Sequence, residues 1–357
     1  MASLRTLAVA AAALSLLAAS GAALASASSA GTAPTASAAY VRSLDGQTGA
    51  SRIDAAARTA ITWRGGAITA STGELVNVFV SDLLPAETPE KWAEFLVGLT
   101  HGPELSLLTT RLATLDEVQQ LCGAQALGCY LRNEMIALGE PTIDGRGATP
   151  EEVVRHEYGH HVGFHRANPP WRAIDWGPKN WASSAGVCAR VSRGEAFPGN
   201  EGRNYALNPG EGWAETYRLM DERKDGITTA TWHIVSQSFF PNETALAAAE
   251  RDVLTPWSAN RRTVHRRVFG KTTKKVWWIP VQTPLDGELT LSATLPRNGV
   301  HEVALVAPNR RTVLGRAQWV GQRVKRTATT VCGQRSLFVR VTQSGGLGRV
   351  TVTASAP

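Results

Sequence analysis

The chain has only four cysteines, and none sits in a C-x-x-C arrangement, which leaves little support for a redox site or a thiolate zinc centre. Beyond its first 30 residues it has no run of about 18 uncharged apolar residues, so no stable membrane insertion is expected. Its basic clusters, RRTVHRR (261–267) and KTTKK (271–275), lack the interleaved aromatics and glycines of a platform for single-stranded nucleic acid. The formal charge of +7, from 37 basic and 30 acidic residues, is therefore read as a solvated basic face, and no nucleic-acid partner is expected.

What is present begins with a leader. Residues 1–30 carry Arg5, a small apolar run from Leu7 to Ala19 and cleavage options such as Ala23-Leu24-Ala25, which predicts a secretory signal peptide and an extracellular location. Residues 31–60, rich in Ser, Ala, Thr and Gly, are expected to be a flexible N-terminal segment. In an oxidising compartment four cysteines predict two disulfides. Cys122 and Cys129 lie near enough for a local loop, which leaves Cys188 to reach Cys332, but the sequence does not choose among the three pairings.

Residues 61–262 read as one domain. A strand is expected within STGELVNVFVSD (71–82), a helix opens at Thr88 and Pro89, and TLDEVQQLCG (114–123) is a short helix. CYLRNEMIALGE (129–140) alternates as a single strand. A helix is predicted from Pro150 to about His165, capped by Thr149 and with Glu151 and Glu152 in its first turn. From 166 to 210 the text is loop-like, with Trp171, Trp176 and Trp181 either lining a groove or plugging the core. Helices follow at 210–223 and 243–254. Residues 265–357 change character: short β-prone runs separated by Asp-Gly and Asn-Gly turns predict a small all-β sandwich-like domain, with no catalytic constellation of its own.

The chemistry is concentrated in HEYGHH (156–161). On a helix, His156 and His160 project from one face a turn apart and can share a Zn²⁺, with Glu157 able to reach a water at the open position. A third protein ligand is then required. His161 points about 100° away from His160, and a histidine at metzincin spacing would fall on Arg166. The remaining candidates are Glu211 and Glu215, four residues apart in PGEGWAETYRL, so that one can bind the metal while the other accepts a hydrogen bond from a ligand histidine.

HEYGHH followed by NYALNPGEGWAETYRLM resembles the gluzincin metallopeptidases, and in particular the lethal-factor-type catalytic domain, over about residues 125–225. The resemblance implies an α+β zincin-like fold for the first domain, zinc as cofactor, His156, His160 and Glu211 as ligands, and Glu215 as the carboxylate behind them. It implies Glu157 as general base and Tyr205 as a donor to the tetrahedral intermediate, with Tyr158 and Tyr217 as weaker substitutes. The expected function is a secreted zinc endopeptidase acting on protein or peptide substrates, as a monomer, with the C-terminal domain contacting a cell wall or surface. The alternatives are a zinc-dependent wall- or glycan-directed hydrolase and a non-catalytic, zinc-stabilised binding protein.

Overall fold

The computed structural model describes residues 59–141, 148–228, 231–232, 234–273, 275–320 and 325–357. The expected leader, nearly all of the expected flexible segment and the turn before the metal-motif helix lie outside the described residues.

An α+β region comes first. Strands β1 (Trp63–Thr69), β2 (Leu75–Ser81), β3 (Thr109–Ala113), β4 (Gly128–Leu131) and β5 (Glu134–Leu138) form a five-stranded sheet in the order β1-β2-β3-β5-β4, with β4 at its edge. Helix α1 (Pro89–Gly98) is opened by Thr88, whose side chain accepts from the Lys91 backbone N–H. Helix α2 (Leu115–Cys122) is opened by a capping box of Thr114 and Glu117. The segment read as one strand at 129–140 is a hairpin instead. Arg132 adopts φ 55°, Leu131 pairs with Glu134 and Tyr130 with Met135. The alternation of apolar and polar residues continues through a two-residue turn, so pattern alone does not reveal the reversal.

Helix α3 (Pro150–Phe164) carries the histidine motif and begins at the predicted cap Thr149, which forms a capping box with Glu152. The span 166–210, expected as loop, contains a short hairpin of β6 (Ala167–Asn168) and β7 (Trp171–Arg172) and helices α4 (Ala173–Trp176), α5 (Lys179–Ser184) and α6 (Val187–Ser192). These helices are too short to show an apolar period. Tertiary contacts hold them: the buried Asp252 carboxylate accepts from the Asn180 and Trp181 backbone N–H groups at 3.1 and 2.7 Å. Helix α7 (Pro209–Lys224) then packs along α3, and α8 (Glu243–Leu254) supplies Asp252.

Eight further strands follow: β8 (Arg261–Phe269), β9 (Val276–Gln282), β10 (Gly287–Thr294), β11 (Val300–Val306), β12 (Val313–Val320), β13 (Lys325–Val331), β14 (Ser336–Gly345) and β15 (Gly348–Ala356). They form two antiparallel sheets, β13-β10-β15-β8 and β12-β11-β14-β9, whose inward Val, Leu and Ile side chains make a second core. The α+β region is thus followed by a sandwich-like β domain. The four cysteines form two disulfides as expected, and the pairing left open by the sequence is Cys122–Cys129 within the first region and Cys188–Cys332 between the two.

Candidate metal centre

Helices α3 and α7 approach closely because small residues face each other. A Cβ on Gly159 would lie 2.8 Å from the Ala214 Cα, closer than any real side chain tolerates. This contact brings the two motifs, 51 residues apart at His160 and Glu211, into one buried cluster.

The His156 Nε2 stands 3.2 Å from the His160 Nε2 and 3.2 Å from the Glu211 Oε2, and the His160 Nε2 is 3.3 Å from that same oxygen. Ligand atoms about 2.0–2.1 Å from a tetrahedral zinc stand roughly 3.3–3.4 Å apart. The triangle therefore already has the dimensions of three corners of such a site, and its donors, two imidazole nitrogens and a carboxylate oxygen, suit a divalent metal.

The electrostatics agree. Burial raises the Glu211 carboxyl, but the two imidazoles outweigh it and hold it well below the usual carboxylate range. Burial pulls His156 down, yet Glu211 and Glu215 outweigh it and push it up to about 10. Three groups at 3.2–3.3 Å thus need a shared cation, a proton or a metal.

Glu215 lies behind His156, its Oε2 3.6 Å from the Nδ1, an ion-pair distance longer than a hydrogen bond. Among the described residues the Nδ1 has no hydrogen-bond partner. Glu215 is gripped from the other side by Arg218, whose Nε donates to its Oε2 at 2.5 Å, and Arg218 in turn binds Glu222 at 2.7 and 2.8 Å.

Glu157 lines the same cleft as His160, Tyr205 and Glu211, a cavity of about 480 Å³. Burial raises its carboxyl above the ordinary value. Gly128 on β4 gives it room: a Cβ there would sit 2.7 Å from the Glu157 Oε1. The Tyr205 hydroxyl donates to the Glu211 Oε2 at 2.7 Å, so it stands at the metal triangle rather than apart from it. Tyr158 and Tyr217 are fully buried and donate to Glu104 and to the Thr100 carbonyl, away from the cleft.

Other residues in the cleft escaped the sequence reading. Glu201 is pushed up to about 8 by burial and by Glu211, and Asn208 donates to it at 2.9 Å. Tyr130, on the edge strand, is tied to α3 through His161. The His161 Nε2 faces the Glu104 carbonyl at 2.8 Å and so carries the proton, which leaves the Nδ1 to accept from the Tyr130 hydroxyl at 3.0 Å. The histidine that does not reach the metal thus anchors the cleft wall. Of the three tryptophans, Trp181 is buried against Trp213, whereas Trp171 and Trp176 stack at 4.5 Å, and Trp171 lines a groove that shares Phe164, Arg172 and Ile174 with the cleft.

No family model matches the chain, and no curated protein matches it significantly. Among solved structures, a mitogen from Yersinia pseudotuberculosis aligns at 9% identity over 28% of this chain and 87% of its own, with a TM-score of 0.22. The pre-peptidase C-terminal domain of a Bacillus anthracis collagenase aligns at 14% over 28% and 97%, also at 0.22. The functional reading therefore rests on the site itself. Its His-His-Glu set supports metal-dependent enzymatic chemistry, and with His156-Glu157-x-x-His160 on one helix and Glu211 on the next, the arrangement matches the gluzincin pattern.

Proposed function

We propose that the protein is a secreted zinc-dependent endopeptidase. The observation that carries this reading is the His156–His160–Glu211 triangle, open to a cleft that also holds the Glu157 carboxyl and is bordered by an edge strand. A bound zinc ion would supply a Lewis acid for a carbonyl and acidify water at its open position. Glu157 takes the proton as water attacks and returns it to the leaving amine; its raised pKa suits both tasks. Tyr205 donates to the oxygen on which charge develops, having exchanged its partner Glu211 for the substrate. β4 accepts an extended peptide as an added strand beside the cleft that Tyr130 and Glu201 line. Secretion is supported by the leader pattern and by two disulfides.

The test compares wild type, Glu157→Gln and Glu211→Ala for zinc content and for cleavage of casein or a peptide library. Glu157→Gln retains zinc and loses at least 100-fold in rate, whereas Glu211→Ala loses zinc affinity as well. Cleavage by Glu157→Gln at the wild-type rate removes the general-base assignment. New products from peptidoglycan or glycans alone, with none from proteins, replace the peptidase reading by a wall-directed hydrolase.

A further inference from the structure

The net charge conceals a strong asymmetry. Residues 258–357 hold 17 Lys and Arg against three acidic residues, a net +14, while residues 1–257 carry −7. Two of the three acids are already engaged: Asp286 accepts from Arg335 and the Gly333 backbone, and Glu302 pairs with Arg340. Such an excess opposes compactness through self-repulsion, so folding alone gives no reason for it.

Register places part of this charge on the outer face of one sheet. On the two central strands, Thr290, Ser292 and Thr294 of β10 stand beside Ser355, Thr353 and Thr351 of β15, making three transverse rows of paired hydroxyls. The flanking edge strands add exposed arginines to the same face. Arg262 and Arg266 on β8 extend the first and third rows, and Arg326 on β13 extends the second from the opposite side. Arg349 lies one step farther along β15 and is also exposed. Among the described residues none of these four arginines has a salt-bridge partner, and Glu288 is the face's one carboxylate, a row beyond Arg262 at its end.

We infer that this face docks an anionic glycopolymer, a hydroxylated chain bearing repeated carboxylate, sulfate or phosphate groups. The patch is roughly 15 by 20 Å, from four strands at the usual spacing and rise. Its hydroxyls match a sugar or polyol backbone, and arginines on both margins match anions along it by charge-assisted hydrogen bonds. Among the described residues no aromatic side chain stands on this face to stack a nucleic-acid base. Among the described residues its exposed large apolar side chains are Val264 and Val268 on one edge strand, too little to insert into a lipid surface.

The experiment uses the full chain lacking only the predicted leader, with dextran sulfate, unmodified dextran, a thymidine oligonucleotide and anionic phospholipid vesicles as probes at 0.05–0.2 M salt. Dextran sulfate is expected to bind saturably and more tightly than the other three. The triple variant Arg262→Gln, Arg266→Gln, Arg349→Gln weakens it at least tenfold and lowers the slope of log affinity against log salt by about 2 to 3, by analogy with the counterion release measured for nucleic acids. A control triple of equal charge on the other sheet's side, Lys275→Gln, Arg311→Gln, Arg316→Gln, stays within threefold. All six positions are exposed, and unchanged melting temperatures verify the folds. Equal losses in the two triples, tighter binding of the oligonucleotide or the vesicles, or no saturable binding of dextran sulfate overturns the inference.

Discussion

Replacing Arg218 by methionine removes the charge that holds the metal centre from behind. The side chain is 3% exposed and grips Glu215 and Glu222, so methionine keeps much of its volume but leaves the buried Glu222 without a counter-charge and Glu215 with His156 alone. In the native protein burial raises the Glu215 carboxyl, but Arg218 first and His156 next outweigh burial and lower it from 4.5 to about 2. A depressed carboxyl contributes stability that is fully present above its unfolded pKa and lost as pH falls through its folded one. That interval, between 4.5 and about 2, is worth about 3 kcal/mol. Breaking a buried ion pair from one side costs a similar ~3–5 kcal/mol. Without Arg218 the Glu215 carboxyl loses the largest of the charges that depress it and rises from its native value, so the penalty grows with pH. Urea unfolding of both proteins with a chelator present, at pH 7 and pH 4, reads this directly. The expected loss is at least about 3 kcal/mol at pH 7 and smaller at pH 4 by about 1 kcal/mol or more. A loss under about 1 kcal/mol at pH 7, or one that grows as pH falls, refutes the argument.

Zinc affinity should rise with pH. His156 is held up to about 10 in the metal-free protein, so binding displaces its proton, and the apparent affinity increases about tenfold per pH unit between pH 6 and 9 in a chelator competition; a flat profile removes the proton from the triangle. Tyr205→Phe is expected to lower kcat on a peptide by roughly 10- to 100-fold with zinc content unchanged, and an equal fall in zinc content would instead make its hydrogen bond to Glu211 its whole role. Gly159→Ala forces a Cβ against the Ala214 backbone, and about 1–3 kcal/mol of stability is lost. Zinc affinity falls with it as the helices separate, and a stable variant with native affinity would show that the close approach does not set the triangle.

The metal triangle was legible because its parts obey local rules. Thr149, Pro150 and Glu152 announce the start of α3, and a spacing of four residues puts His156 and His160 on one face whatever the rest of the chain does. The C-terminal strands were legible for the same reason, since alternation of period two survives in GELTLSATL and GRVTVTA. The C-terminal strands that escaped, β8, a run of arginines, and β13, KRTATTV, carry polar or basic side chains at most positions, and their apolar content is too low to mark them. They are sheet edges, which need one paired side and tolerate exposed charge.

What escaped at the site lies one layer outward, and the reason is physical. Each group there is fixed by a partner distant in sequence rather than by helical periodicity. Tyr130 is placed by His161, 31 residues on, and His161 by the Glu104 carbonyl, 57 residues back. The sequence reading discarded His161 because its direction excludes it from the metal. Yet most buried polar groups are paired, so a buried imidazole that is not a ligand raises the question of what it ties down. Asked of the remaining buried polar residues in α3 and α7, that question leads from Arg155 to Asp221, from Arg218 to Glu152 at an ion-pair distance of 3.7 Å, and from Trp213 to the Gly159 carbonyl. The two helices that carry the ligands are therefore cross-tied along their length, and the triangle is set before any metal arrives.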